Sequence, residues 1–479
     1  MSDVADFDHW LARIRPCIGP VVLERLRMDI TPVELAARLC QVPGFAYLDG
    51  GDGALGEPMS VLAWRPRWTL QGWGKALRLR DHRDDRALDW EDDPLRVLDA
   101  LSQRCTRAQP LYAHGAIGCV AFEALHDATH GRSPEGAVNV EGMDLPDLHL
   151  SFYESFLVFC HATRVWRLYI TPLGDGLDSR RIVPEVDAEI AAALQREGTW
   201  PVVGGRGHWT CALPYASFLE RVRAISDRLA EGEAEQIQFA VPFGVDLAGE
   251  PFAFYRALRR GVGGRYGAYL RVGDAHILCA SPASLLRRCG KSLALMPFDD
   301  LRPRANDLRA DEARDLAVWQ CEREAGLLTG RVEEARRAMA QLCAPGTVQV
   351  ASSRRLVKVA CQSFIEAELS GKVTTRTGAG TILGAAFPSG AGCGLPREAA
   401  LGIIAAEEGY RRHFYAGAVG WLGFNGDLAM NTALNLGVVQ GQRLRFHADV
   451  TVRADTDEEE AYRECLARAV AWRIALGDM

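Results

Sequence analysis

Between Phe387 and Trp421 the chain reads FPSGAGCGLPREAALGIIAAEEGYRRHFYAGAVGW. Gly390, Gly392 and Gly394 form a glycine-rich loop that runs into Pro396. Proline suits a first helical turn, because the N–H it lacks is one the helix leaves unbonded anyway. Ala399, Ala400, Ile403, Ile404, Ala406 and Glu407 follow at helical spacing. Arg411 and Arg412 are expected to close that helix with charge favourable at a C-terminus. Tyr415 to Trp421 then alternates small and large residues, as a strand entering a core does. Loop, helix and strand in this order make a concave corner. The unbonded amides at the helix start could receive a carboxylate or a phosphate.

Other residue types bound the chemistry further. Only four lysines, Lys75, Lys291, Lys358 and Lys372, stand beside 51 arginines, so a lysine base or nucleophile has few candidates. Cys393 lies in the glycine loop as a candidate nucleophile, although a small core thiol is the plainer reading. His126 and His130 have the i, i+4 spacing of a zinc helix, but Gly131 and Ser133-Pro134 follow at once and favour a surface turn. Gly378-Ala379-Gly380-Thr381 hints at a dinucleotide loop, yet the third glycine is misplaced and no βαβ unit follows. Arg354-Arg355 reads as a solvated charge pair.

The elements that must position these residues come from an ordinary globular composition: 479 residues, 48% hydrophobic and 24% charged. A net charge of −7 gives no footprint for nucleic acid. No apolar run is long enough for a membrane helix, and the N-terminus lacks the pattern of a secretory signal. Thirteen cysteines without a C-x-x-C read as reduced thiols in the cytoplasm. Short strands are expected at Pro43 to Leu48, Met59 to Trp64, Pro110 to Phe122 and Leu150 to Thr171. Residues 200–213 form a Gly-rich join. Beyond it, Phe218, Val222, Ile225 and Leu229 mark an amphipathic helix. Gln236 to Phe243 reads as a strand and Phe254 to Leu258 as a short helix. Tyr266 to Val272 and Ala275 to Cys279 read as a hairpin about Gly273-Asp274.

The segment from Phe387 to Trp421 resembles the chorismate-utilising enzymes: anthranilate synthase component I, aminodeoxychorismate synthase component I, isochorismate synthase and salicylate synthase. Phe387, Pro388, Gly390, Gly394, Pro396, Glu408, Arg412, Tyr415, Gly417, Gly420 and Trp421 fit that family's signature, with Arg397 where lysine is usual. The resemblance covers nearly the whole chain, strongly after Tyr215 and weakly before. It implies an α/β fold of two antiparallel sheets packed as a sandwich with helices outside. It also implies a component I-like region over 1–200 and a chorismate-binding-like region over 215–479. Gly50, where some relatives have the serine of a tryptophan-binding turn, weakens any expectation of tryptophan binding.

The resemblance further implies an Mg²⁺ held by glutamates, a glutamic acid as proton donor, and basic and backbone groups for a second carboxylate. Several of those positions differ here. Ser281-Pro282-Ala283 stands where the proton-donor glutamate is expected. Pro297 to Arg304 keeps the frame of a family turn but carries Asp299 and Asp300 in its middle. Leu327 and Ala461 replace two metal-side glutamates; Glu324 and Glu464 remain as metal candidates, with two solvated helix glutamates as the plainer reading. His447-Ala448-Asp449 stands at a glycine-rich turn, Ala360 at a histidine, and Met430-Asn431-Thr432 at an arginine. Gln236 sits where amine-using members have glutamine.

The remaining site expectations follow from that alignment. Asp299, Asp300 and Gln236 are the catalytic candidates. Tyr415, Arg397, Gly394, Gly417 and Arg468 are the candidates for binding a small carboxylic acid. The added aspartates predict a more acidic pocket. The implied function is a diverged chorismate-family protein with altered or lost chemistry. A non-catalytic partner of a glutamine amidotransferase or an active paralogue, and a working aminodeoxychorismate synthase, are the alternatives.

Overall fold

The computed structural model describes the chain apart from residues 1–6, 8, 9, 12–21, 27, 52–58, 106–109, 125–142, 174–178, 197–203, 206–208, 300, 306, 361, 375, 376 and 476–479. Two antiparallel sheets, of thirteen and twelve strands among the described residues, form the body. Their facing sides enclose one apolar layer. Val419 and Trp421 enter that layer, whereas Ala418 and Leu422 of the same strand, Ala418–Leu422, enter a second cluster on the opposite face. This is the period-two alternation read from the sequence. Gly420 pairs with Gly118 across the ladder, and a Cβ on Gly420 would lie 2.0 Å from the Ala429 carbonyl oxygen.

Both sheets mix early and late segments. The strand Ala46–Asp49 pairs with Tyr266–Val272, and Ala116–Val120 pairs with Ala418–Leu422. The hairpin forms as expected, over Tyr266–Val272 and Ala275–Ser281. The helix through Phe218 spans Tyr215–Ala230, and its Phe218, Val222, Ile225 and Leu229 are buried. The strand from Gln236 runs on to Ala248. The expected helix near Phe254 extends over Pro251–Val262. The His126–His130 pair lies outside the described residues. None of the described helices is long and apolar enough to cross a membrane.

The helix after the glycine loop differs at its end from the sequence expectation. It covers Arg397–Glu407, and Gly409 adopts φ +70°, a left-handed turn that glycine enters without steric cost. Arg411 and Arg412 therefore lie beyond the helix. Arg412 turns inward and is 1% exposed. Its guanidinium donates to Glu408 at 2.8 Å and to the carbonyl oxygens of Gly392 and Gln238, both at 2.6 Å. It also lies over the Phe122 ring at 4.6 Å. Glu408 in turn accepts the Ala240 N–H at 2.9 Å. One buried pair thus ties the glycine loop and the helix end to the central strand Gln236–Ala248.

Removing one member of such a pair strands a buried charge. Arg412→Ala is expected to lower unfolding stability by about 3–5 kcal/mol in urea denaturation. A change below about 1 kcal/mol, the range of exposed pairs, would contradict this role.

Candidate functional site

The C-terminal helix Glu458–Ala475 packs on the strand Arg443–Val452. Alternation along that strand sends His447 and Asp449 to one side. Helical spacing puts Ala461, Glu464 and Arg468 along one stripe. The turn after the helix Arg397–Glu407 delivers Tyr415, and the glycine loop delivers Ala391. His447, Asp449, Arg468, Tyr415 and Ala391, with Phe298, Leu301, Leu434, Asn435 and Gln362, surround a narrow cleft. Only about 30 Å³ of it is open to the centre of a water molecule. One water needs roughly 10–15 Å³ on this measure, so the cleft has room for two or three waters.

Asp449 dominates this cleft. Its carboxylate accepts from Arg468 at 3.0 Å and lies close enough to the Tyr415 hydroxyl to raise its pKa. Arg468 also donates to Glu464 at 2.9 Å. Burial first, and the Asp449 charge second, hold the Tyr415 phenol well above its ordinary pKa, so it stays a donor. His447 stacks on Tyr415 with ring centroids 5.1 Å apart. Its Nε2 has no hydrogen-bond partner, and burial pushes its pKa down to about 3. Of the two side chains best suited to receive a ligand carboxylate, Arg468 already holds one supplied by the chain itself, and Tyr415 lies beside it.

A second ionic cluster sits where the helix Glu322–Leu342 begins. Arg302 Nη2 bridges Asp299 Oδ2 at 3.0 Å and Glu324 Oε2 at 2.7 Å. Arg453 reaches the other Glu324 oxygen at 3.4 Å. Asp299 is 1% exposed, and its Oδ1 is unbonded. Burial, and then the neighbouring Asp299 carboxylate, which favours a proton on Glu324, raise the Glu324 pKa. This pair can hold a proton, but neither member lines the cleft beside Tyr415. Asp300 lies outside the described residues.

The other expected site residues are dispersed. Gln236 is fully buried, with both side-chain polar atoms unbonded, and it lies outside the Tyr415 cleft. Gly394 makes a close approach: a Cβ there would stand 2.3 Å from the Gln236 carbonyl oxygen. Gly417 packs against the Val120 carbonyl oxygen in the same way, at 2.3 Å. Arg397 donates to the Ala385 carbonyl oxygen at 3.0 Å and lines a different cleft. Cys393 is fully buried, and burial raises its thiol to about 11, which suits a core thiol.

Three positions where the sequence lacks an expected acid are packed apolar sites. Ala283, Leu327 and Ala461 are all buried. The expectation of a more acidic pocket needs revision, because the acids arrive with arginines: Asp299 and Glu324 with Arg302 and Arg453, Asp449 and Glu464 with Arg468. Asp449 is the residue that sequence reasoning undervalued. Its signal was an aspartate in a turn where the family pattern has glycine.

A family model described as chorismate binding enzyme matches residues 58–472. The aminodeoxychorismate synthase component 1 of Bacillus subtilis is 24% identical over 436 residues, covering 89% of this chain and 90% of the relative. The anthranilate synthase component 1 of Streptomyces coelicolor is 28% identical, covering 94% and 89%. Among solved structures, anthranilate synthase component I from Streptococcus pneumoniae superposes with a TM-score of 0.76 at 21% identity, over 88% of this chain and 93% of that one. The menaquinone-specific isochorismate synthase of Escherichia coli does so with 0.70 at 16% identity, over 99% of each.

The buried histidines give the molecule a pH signature. Burial pushes His447 down to about 3, and His114, His149 and His413 to about 4. Their folded pKa values lie below the unfolded one, so below pH 6.5 the unfolded chain binds more protons and stability falls with pH. Glu123, raised to about 7 by burial, has the opposite sign and loses its contribution as pH rises towards that value. The four histidines outweigh the three raised carboxyls among the described residues, Glu123, Glu154 and Glu324. Urea denaturation at about pH 5 should show lower stability than near pH 6.5, with about 2 kcal/mol carried by each histidine. His447→Phe should flatten that acid limb; an unchanged limb would contradict the assignment.

Proposed function

The chain belongs to the chorismate binding enzyme family, and from that premise we propose that it does not convert chorismate by the family's metal-assisted route. The observation that carries this reading is the Asp449 carboxylate bonded to Arg468 and placed beside Tyr415. A substrate carboxylate would have to displace it. Two carboxylates about 4 Å apart repel by roughly 1–4 kcal/mol at effective dielectrics of 80 to 20. Chorismate, as a dianion, meets that repulsion, and finds Arg468 taken and Tyr415 faced by a negative charge.

The residues present do not fit Mg²⁺. A hard divalent cation takes oxygen ligands, usually several waters and one or two carboxylates. Both Glu324 oxygens accept from arginine, and Glu464 accepts from Arg468. Leu327 and Ala461 offer no oxygen. Among the described residues no three His, Cys, Asp or Glu side chains converge as a metal cage. With Ala283 buried in the core, no proton donor stands at the position where the family pattern places one. Loss of a general acid alone costs about 10²–10⁴ in rate.

The protein then acts by binding. The relatives are named component 1, the name of one part of an assembly, and a glutamine amidotransferase or an active paralogue is the partner we infer for a member without turnover. Leu308, Leu316 and Trp319 favour a partner surface: they share one face of the helix Leu308–Gln320 and are all exposed.

Purified protein incubated with chorismate, ammonium and Mg²⁺ is expected to form no aminated or isomerised product by chromatography. Turnover above the no-enzyme rate would overturn the proposal.

A further inference from the structure

Next to the Tyr415 cleft lies a second one, sharing only Phe298 and Ala391 with it. Its floor is the long helix Glu322–Leu342, and its rim is the glycine loop. Arg331, on that helix, is 3% exposed. Its Nε, Nη1 and Nη2 have no hydrogen-bond partner. A guanidinium brings five N–H donors in a planar fork, and leaving them buried and unmatched is costly. The side chain lines the cleft and reaches towards the loop: a Cβ on Gly390 would lie 3.8 Å from Arg331 Nη1.

Two more charges face the same space. Glu334, one helical turn on, accepts the first N–H of the helix Arg397–Glu407 at 2.8 Å. Arg397 lies on the rim and donates one N–H to a carbonyl oxygen. Two guanidiniums and one carboxylate leave a single net positive charge. The rest of the lining is mainly apolar, including Leu295, Met296 and Phe298. About 50 Å³ is open to the centre of a water molecule. At roughly 10–15 Å³ per water, that is space for a ligand of a few non-hydrogen atoms.

We propose that the Arg331 cleft is a binding site for a small monocarboxylic acid, whose carboxylate docks on the Arg331 fork and whose apolar body lies against Leu295 and Phe298. Fork and carboxylate match in plane and in two parallel hydrogen bonds. Glu334 is the selectivity element: it tolerates one negative charge and repels a second. This inference stands independently of whether chorismate is converted, since it uses neither Tyr415 nor Arg468.

Calorimetric titration at neutral pH with propionate, and separately with succinate, tests it. Propionate is expected to bind at one saturable site, and succinate about tenfold more weakly. Arg331→Leu should abolish the propionate isotherm while the melting temperature holds or rises, because a buried unmatched charge has been removed. Glu334→Gln keeps an acceptor for the helix N–H, and should narrow or reverse the preference for propionate over succinate. It serves as the second probe if Arg331→Leu does not fold. Propionate binding unaltered by Arg331→Leu, no saturable propionate isotherm in the native chain, or an unchanged preference in Glu334→Gln would each overturn the proposal.

Discussion

A carboxylate drawn partly out of water needs a matching charge, and half-buried Asp449 finds it in Arg468, with the Tyr415 phenol beside it. Much of the site follows from that need. The Tyr415 phenol stays protonated as a donor. His447, stacked on it, stays neutral in an interior that resists a further positive charge. Arg468, fixed by Asp449, also holds Glu464 on its own helix. A narrow cleft remains, with its charged groups turned on one another.

The same logic governs the cluster at the start of the long helix. Arg302 and Arg453 neutralise Asp299 and Glu324 with hydrogen bonds that a guanidinium supplies without any ion. A guanidinium neutralises charge but has no open coordination position to polarise a leaving oxygen, which is what a metal contributes to such chemistry. Arginine at these positions and apolar packing at Ala283, Leu327 and Ala461 are mutually consistent. The family architecture survives because its supports lie elsewhere, in the two ladders and in the Arg412–Glu408 tie.

Much of that architecture was legible in the sequence. Alternation at Val419 and Trp421, the hairpin about Gly273, and a helix after the glycine loop were readable because they depend on neighbours within a few residues; Pro396 caps that helix rather than entering its first turn. The helix end was misread. Arg411 and Arg412 look like terminal charges until Gly409 is seen to turn the chain and Glu408 to draw Arg412 inside. The site was less legible for the same reason. Asp299 could be seen as an added acid, but its neutralisation involves Arg453, far along the chain. Asp449 was visible as a departure from glycine, whereas its meeting with Tyr415 requires the fold. Arg331 gave no signal at all: an arginine in a charged helix reads as solvated until its burial is seen.

The central claim is that the chain's own carboxylate closes the cleft, and calorimetric titration with chorismate of the native protein and of Asp449→Gly tests it most directly. The account predicts no saturable binding to the native protein, and measurable binding to Asp449→Gly once Tyr415 and Arg468 are released. Native binding as tight as that of the variant would contradict it.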